Sequence, residues 1–504
     1  MNILLLLPVA IPFFTAILCI FFWYKRHLQQ VLNLTGSFLL LISVIMLGFD
    51  VYNNGILAAQ MGNWAAPFGI TFVADLLSVM MLVLTGIIGF SVAIASIADI
   101  DPPRERYGYY PLYQILLMGI CGSFLTGDIF NLFVWFEVML IASFVLIALG
   151  SEKAQLEGAI KYVTINLVSS VFFLTAVGML YGLAGTLNMA DLALRIPFIE
   201  HKGLVTIIAM LFLVSFGIKA AVFPLFFWLP ASYHTPPVAI SAIFAGMLTK
   251  VGVYALIRIF TLIFVNNIVY THSIILVIAG FTMIVGVLGA IVQTDFRRIL
   301  SFNLVSHIGY MIMGLALFTP LALAGSVFYV AHHILVKSNL FLVSGVVRNI
   351  KGSFDLTRLG GIYKSYPFLS VLYIIPALSL SGIPPFSGFW GKLFLIKASF
   401  DKTEYVIAIA ALVAGILTLY SMIKIWSEAF WRKEPPEEDN ADINRYSKLP
   451  MINKIGILFP IILLTSLSLF IGFWAEPLFQ FAMKTSEQLL NPTEYIDVVL
   501  GGSR

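Results

Sequence analysis

FGIKAAVFPLFFWLPASYHTPPVA, residues 216–239, decides how this chain is read. It begins as an apolar run fit for a bilayer, yet it carries Lys219 and the prolines Pro224, Pro230, Pro236 and Pro237. Proline removes a backbone donor and clashes with the preceding turn, so a continuous helix is not expected here. A second stretch has the same ingredients. PALSLSGIPPFSGFWGKLFLIK, residues 376–397, sets Gly382, Pro384, Pro385, Gly388 and Gly391 beside Lys392.

Working outward, the rest of the chain is mostly apolar. Of 504 residues, 60% are hydrophobic and 11% charged, against about 25% charged in soluble domains. Runs of about 20 apolar residues recur from end to end, each long enough to cross the hydrocarbon core. Such runs are too long for barrel strands, and in lipid only helices and closed barrels satisfy their own backbone. The fold class expected is therefore an all-α polytopic membrane protein. Spans are predicted near 2–23, 31–51, 70–97, 110–127, 129–149, 158–183, 203–228, 237–262, 272–292, 298–318, 321–347, 367–395, 404–427 and 455–480, fourteen in all. The first lacks a basic leader and a small-residue cleavage site, and reads as a retained span.

Charge tests this count. With fourteen alternating spans, seventeen basic residues fall on one side and seven on the other, with Arg258 assigned to the smaller group. The positive-inside rule then places the larger group in the cytoplasm and both termini outside. The two interrupted spans, the seventh and twelfth, are five apart, so equivalent segments would cross in opposite directions. This is the inverted-repeat pattern in which broken helices mark an ion path. The division expected is an N-terminal three-helix segment (1–109), two inverted five-helix repeats (110–262 and 263–430), and a loop, last span and tail (431–504). The acidic stretch EPPEEDN, 434–440, reads as a solvated cytoplasmic loop.

The charges inside spans are the candidates for chemistry. Lys219, Lys250, Lys337, Lys392 and Lys424 lie in apolar runs, as does Glu137 in FNLFVWFEVMLIASFVL, 130–146. One charge at a bilayer centre costs roughly 2.5–3.5 kcal/mol even on the permissive insertion scale. A chain with several must enclose them, which points to a route for ions or protons. Desolvation and a nearby carboxylate push a lysine in opposite directions, so moving that carboxylate switches it between holding and releasing a proton. Glu137 and Lys219 form the simplest such pair. Lys250 follows, then His333 and Lys337, four apart on one helix face. His307 supplies a relay group near the middle, and Lys392 completes the line. Histidine suits such a line because it both donates and accepts near neutral pH.

Ordinary readings compete at each position. A lone buried lysine is as readily an ion-pair partner or a snorkelling cation, and Lys424, near a span end, reads as the latter. His307 and His333 are equally at home as hydrogen-bonded packing. His332 faces another way and is the weaker candidate. Asp75 reads as a polar anchor near the outer surface, and His234 as either a half-helix cap or a proton carrier. Cys19 and Cys121 fall in apolar runs and indicate neither a disulfide framework nor a metal cluster. The net charge of +4 is dispersed and makes no case for nucleic acid. No Walker motif or nucleotide-binding glycine loop is present, which argues against ATP as the energy source.

Several stretches together resemble the antiporter-like subunits of respiratory complex I and of Mrp-type multisubunit cation/proton antiporters. They are FNLFVWFEVML with Glu137, FGIKAAVFPLFFWLP with Lys219, HTPPVAISAIFAGMLTKVGVY with Lys250, DFRRILSFNLVSHIGYM and AHHILVKSNLFLVSG. The length, the wording GDIFNLFVWFEVML (127–140) and lysine at 392 look most like the Mrp branch. The long C-terminal extension of that branch's larger antiporter-like subunit is missing. The resemblance implies fourteen spans, a hydrophilic axis in the membrane plane, and a bacterial cell membrane. By it, Glu137 and Lys219 are the coupling pair, Lys250 the central relay, His333 and Lys337 the link between half-channels, and Lys392 the terminal proton site. It implies partners too: protons and sodium, lipid, several small membrane subunits and the larger antiporter-like subunit, with no cofactor and no metal. Two other functions compete, a proton-pumping limb of a redox-driven complex and a non-conducting scaffold that retains its charges.

Overall fold

The computed structural model describes residues 3–434 and 444–501; most of the acidic stretch 434–440 lies outside them. The described chain is helical throughout apart from one short hairpin. Eleven of its helices are long and apolar enough to cross a membrane. Leu7–Phe21, Tyr109–Leu125 and Pro367–Ser381 are shorter apolar helices.

The more polar helices are the more buried. All of the apolar window of Pro320–Lys351 is buried, and 94% of those of Val238–Leu262 and Phe296–Leu317. Only 39% is buried in Ile268–Val292, which carries no Asp, Glu, Lys or Arg. The reason is solvation. Helices bearing Lys250, His307, His333 and Lys337 cannot face hydrocarbon, whereas a purely apolar helix can. Small residues let the layers close. A Cβ added at Gly286 would collide with the backbone nitrogen of Ser306, so Ile268–Val292 and Phe296–Leu317 cross with backbones almost touching.

The two proline-rich stretches lie where regular helix stops. Lys202–Ala220 ends at Ala221, which is left-handed (φ 62°), and a short helix Trp228–Ser232 follows before Val238. Pro367–Ser381 ends at Gly382 (φ 86°), and Ser387–Asp401 begins five residues later. Within the next buried helix, Phe244–Leu248 forms a π segment between Val238–Ile243 and Thr249–Leu262.

Two features differ from the sequence reading. Thr71–Ala74, expected at the start of a span, is a strand paired antiparallel with Leu57–Gln60, and the helix starts only at Leu76. Its mostly apolar side chains, TFVA, suit a strand that is buried throughout, and Thr71 Oγ1 donates to Gln60 Oε1 (2.6 Å). The last span ends at Phe473 instead of continuing to 480. A separate helix, Ala475–Leu490, folds back to pack on Pro320–Lys351, and Thr493–Leu500 follows. These two helices grip the hairpin end: Gln60 Nε2 donates to Val499 O (3.1 Å) and Leu76 N donates to Gln488 Oε1 (3.2 Å). Cys19 and Cys121 are buried and unpaired.

Candidate functional site: a row of buried basic groups

Glu137 lies half-buried on Ile129–Ala148 and accepts a short hydrogen bond from Ser170 Oγ of Lys153–Ala184. Lys219 occupies the last turn of Lys202–Ala220, where unpaired carbonyls give a helix its negative end and favour a cation. Its Nζ stands 5.8 Å from the centroid of Phe136, the residue next to Glu137. The two charges are not in ion-pair contact. Between their helices sits a cavity of about 20 Å³, lined in part by Lys219, Asn166, Tyr162 and Tyr233. That is room for one water with polar neighbours.

From Lys219 the row continues by direct helix contact. A Cβ at Gly252 would lie 2.6 Å from Ala220 N, so the helix bearing Lys250 presses on the end of the helix bearing Lys219. Lys250 is fully buried, and its Nζ donates to Ala245 O inside the π segment (2.5 Å). A π turn bonds five residues apart, and such turns frequently occur at functional sites. Lys250 uses that five-residue spacing to reach its acceptor.

Beyond Lys250 the groups crowd together. Gly246 lies against Ser338 Oγ, next to Lys337, with no room for a Cβ between them. Lys337 Nζ and both ring nitrogens of His333 are fully buried and have no hydrogen-bond partner among the described residues. His307 and His333 have ring centroids 5.3 Å apart, and His307 Nδ1 makes a short hydrogen bond with Tyr329 OH. Tyr329 stands 5.3 Å from Tyr310, and Lys392 Nζ lies 5.0 Å over the Tyr310 ring. Lys392 then donates to Leu380 O (3.1 Å) and Ser381 O (2.9 Å), the last carbonyls of Pro367–Ser381. Both Lys219 and Lys392 therefore sit at the C-terminal end of a helix that stops within a Pro/Gly stretch.

Other candidates fall elsewhere. His332 points away from His333 and bonds Ser387 Oγ (2.8 Å), which joins Ser379 and Ser468 in a hydroxyl cluster between the helix ends. Lys424 Nζ donates to Ile291 O and Gln293 O, both at 2.8 Å, capping the C-terminal end of Ile268–Val292. His234 Nδ1 bonds Pro230 O (2.7 Å), within the short helix after the first Pro-rich stretch. Asp75 caps the helix Leu76–Asp99 through Ser78 N (2.9 Å) and pairs with Arg258 (2.6 Å). Arg258, counted by the sequence reading with the seven basic residues of the outer side, is 4% exposed.

Several participants carried no sequence signal strong enough to find them. Tyr310 and Tyr329 look like ordinary aromatics, and only their place between His307 and Lys392 distinguishes them. Asp99, whose Oδ2 accepts from Ala239 N (2.8 Å), caps the buried helix that bears Lys250. For Arg258 a clue existed: it follows Lys250 and Tyr254 at four-residue intervals on one helix face. Among the described residues, no three of His, Cys, Asp or Glu gather as a metal-ligand set.

Residues 126–418, which hold Glu137 and every histidine and lysine of the row, match the membrane-domain family of NADH:quinone oxidoreductase and Mrp antiporters. The chain belongs to that family. It is 48% identical to the D-type Na(+)/H(+) antiporter subunit of Alkalihalophilus pseudofirmus, over 99% of this chain and 100% of that one. To the D-type subunit of the Bacillus subtilis antiporter it is 39% identical, again over 99% and 100%. A chain in the solved Mrp complex of Dietzia sp. superposes with TM-score 0.91 at 31% identity, covering 99% of this chain and 100% of that chain. The fold also extends to an archaeal membrane-bound sulfane sulfur reductase, with TM-score 0.88 at 24% identity, covering 99% and 100%.

Proposed function

We propose that this chain is the D-type membrane subunit of a multisubunit sodium/proton antiporter, a transporter component and not an enzyme. Its task is to carry protons along Glu137, Lys219, Lys250, Lys337, His333, His307 and Lys392. The observation that carries this reading is the row of ionisable groups on adjoining helices from Ser170–Glu137 to the carbonyls of Leu380 and Ser381. Buried polar groups are nearly always hydrogen-bonded, so Lys337 and His333, left without partners among the described residues, call for an explanation beyond packing. A proton relay supplies one, since each member must be free to take a new partner.

On this reading the chain crosses a bacterial cell membrane fourteen times with both termini outside. The segments around Ala221–Phe227 and Gly382–Phe386 are the breaks in two helices of an inverted five-helix repeat. Lys219, in the last turn of its helix, and Lys392, held by the carbonyls of Leu380 and Ser381, stand where a proton is received and discharged. The same full-length similarity to antiporter subunits supports neighbouring membrane subunits as partners, among them a larger antiporter-like one. Glu137 is the movable counter-charge: when it approaches Lys219, the lysine holds its proton, and when it swings to Ser170, the proton passes to Lys250.

The test is transport by the whole complex in everted membrane vesicles from cells lacking other sodium/proton antiporters. Lys219→Ala is expected to reduce sodium-dependent proton movement to the level of vesicles without the complex, while every subunit still co-purifies. Normal antiport by an assembled Lys219→Ala complex would remove Lys219 from the path.

A further inference from the structure

On the opposite side of the helix Pro320–Lys351 from His333 and Lys337 lies an apolar cleft of about 510 Å³. It runs between Arg26–Asn54, Leu76–Asp99, Pro320–Lys351, Met451–Phe473 and Ala475–Leu490. The mouth is open: Ile45, Phe49 and Tyr52 are 38%, 66% and 49% exposed. The floor is not, for Ala331 and Leu335 are each 2% exposed. Along Leu76–Asp99 the lining runs from Val79 to Ile87, a depth of about 12 Å at 1.5 Å per residue. Among the described residues of the wall, the Tyr52 hydroxyl is the only side-chain oxygen or nitrogen.

We propose that this cleft holds one acyl chain of a membrane phospholipid, its tail on Ala331 and Leu335 and its phosphate at Lys484. Water has no polar partners inside it, and its volume is within the range of about 300–1,000 Å³ usual for small-ligand sites. The mouth opens beside Arg26–Asn54, a helix long and apolar enough to cross a membrane, with Ile45 and Phe49 exposed on it. Lys484 is exposed at the rim, with Nζ 3.4 Å from Tyr52 OH and 4.7 Å from its ring centroid. A cation beside an aromatic hydroxyl is the pairing found where headgroups meet a protein. Asp50 and Glu487 lie within one helical turn of Tyr52 and Lys484, so the rim is not basic overall. Affinity resides in the tail, and Lys484 sets the position of the phosphate.

The assembled complex, reconstituted with a phosphatidylcholine bearing a mid-chain diazirine, is the material for the test. After illumination, mass spectrometry should find label on Ala331, Leu335 or Val83 at least at the level of lipid-facing Phe281, which is 53% exposed. Gly48 lines the cleft, and a Cβ there meets only Val83 Cγ2 at an ordinary 3.4 Å. Gly48→Phe should therefore fold and fill the cleft, lowering floor label at least tenfold with Phe281 label unchanged. Lys484→Gln should lower it severalfold. Floor residues unlabelled in the wild-type complex would overturn the proposal without recourse to any variant. So would floor label that survives Gly48→Phe, or cross-linking of cysteine at Val83 to a neighbouring subunit's side chain.

Discussion

Asp75–Arg258 and His333–Lys337 are both charged or ionisable groups buried in a membrane protein, yet they are built in opposite ways. The first is saturated. Asp75 accepts from Arg258, Ser78 N and Ser78 Oγ, and the Arg258 guanidinium also lies 5.4 Å from the Tyr254 ring and 5.3 Å from the Tyr495 ring. The second is open, with three nitrogens that bond nothing among the described residues. Saturation makes a strut, since every alternative arrangement loses bonds already made. Openness makes a site, since the groups gain by taking a partner. Burial of charge alone does not distinguish function from architecture; in these two regions the state of the hydrogen bonds does.

That contrast breaks if the two regions respond alike to substitution. The largest effect is expected at Lys337. Lys337→Leu should lower antiport about 100-fold, the scale of losing one positioned proton-transfer group, with no loss of thermal stability of the purified complex. Stability that falls with transport would make Lys337 a structural residue. Arg258→Met should do the reverse, destabilising the chain by about 3–5 kcal/mol by stranding Asp75. The Asp75→Leu, Arg258→Met double variant should recover most of that loss, because well-packed apolar pairs often replace buried ion pairs without penalty. Thermal melts of the wild type, Arg258→Met, Asp75→Leu and the double variant check both claims, and an additive double variant would show that the pair is not a unit. The smallest effect is expected at Lys424, where Lys424→Met removes two hydrogen bonds to a helix end. About 1–2 kcal/mol of stability should be lost, measured as a lower melting temperature, with antiport retained. Antiport lost with normal stability would move Lys424 from cap to relay.

Much of this was legible in the chain. Apolar runs located the spanning helices because lipid tolerates little else, and the prolines of 216–239 and 376–397 located the ends of regular helix. Glu137 and the lysines announced themselves by their expense. What stayed hidden depended on partners far apart in the chain. Asp75 finds Arg258 across 183 residues, and Lys424 finds the end of a helix more than 130 residues earlier. The buried strand Thr71–Ala74 and a span look the same in composition, and only pairing with Leu57–Gln60 separates them. Tyr310 and Tyr329 stayed hidden for a different reason: tyrosine is common, and its use in the row follows from neighbours alone.

One consequence concerns sodium. From Lys250 to Lys392 the row contains lysines, histidines and tyrosines, and among the described residues no acid stands within ion-pair distance of these lysines. Whenever one of these groups is charged, the corridor has a positive potential, strengthened by the low dielectric around it. A metal cation entering it would meet repulsion and few oxygen ligands to replace its hydration shell. A proton meets the same repulsion but needs no oxygen cage, because it travels as a change of bonding from one lone pair to the next. On the proposed reading the corridor therefore passes protons and offers sodium too few oxygen ligands, so that sodium crosses by a separate route.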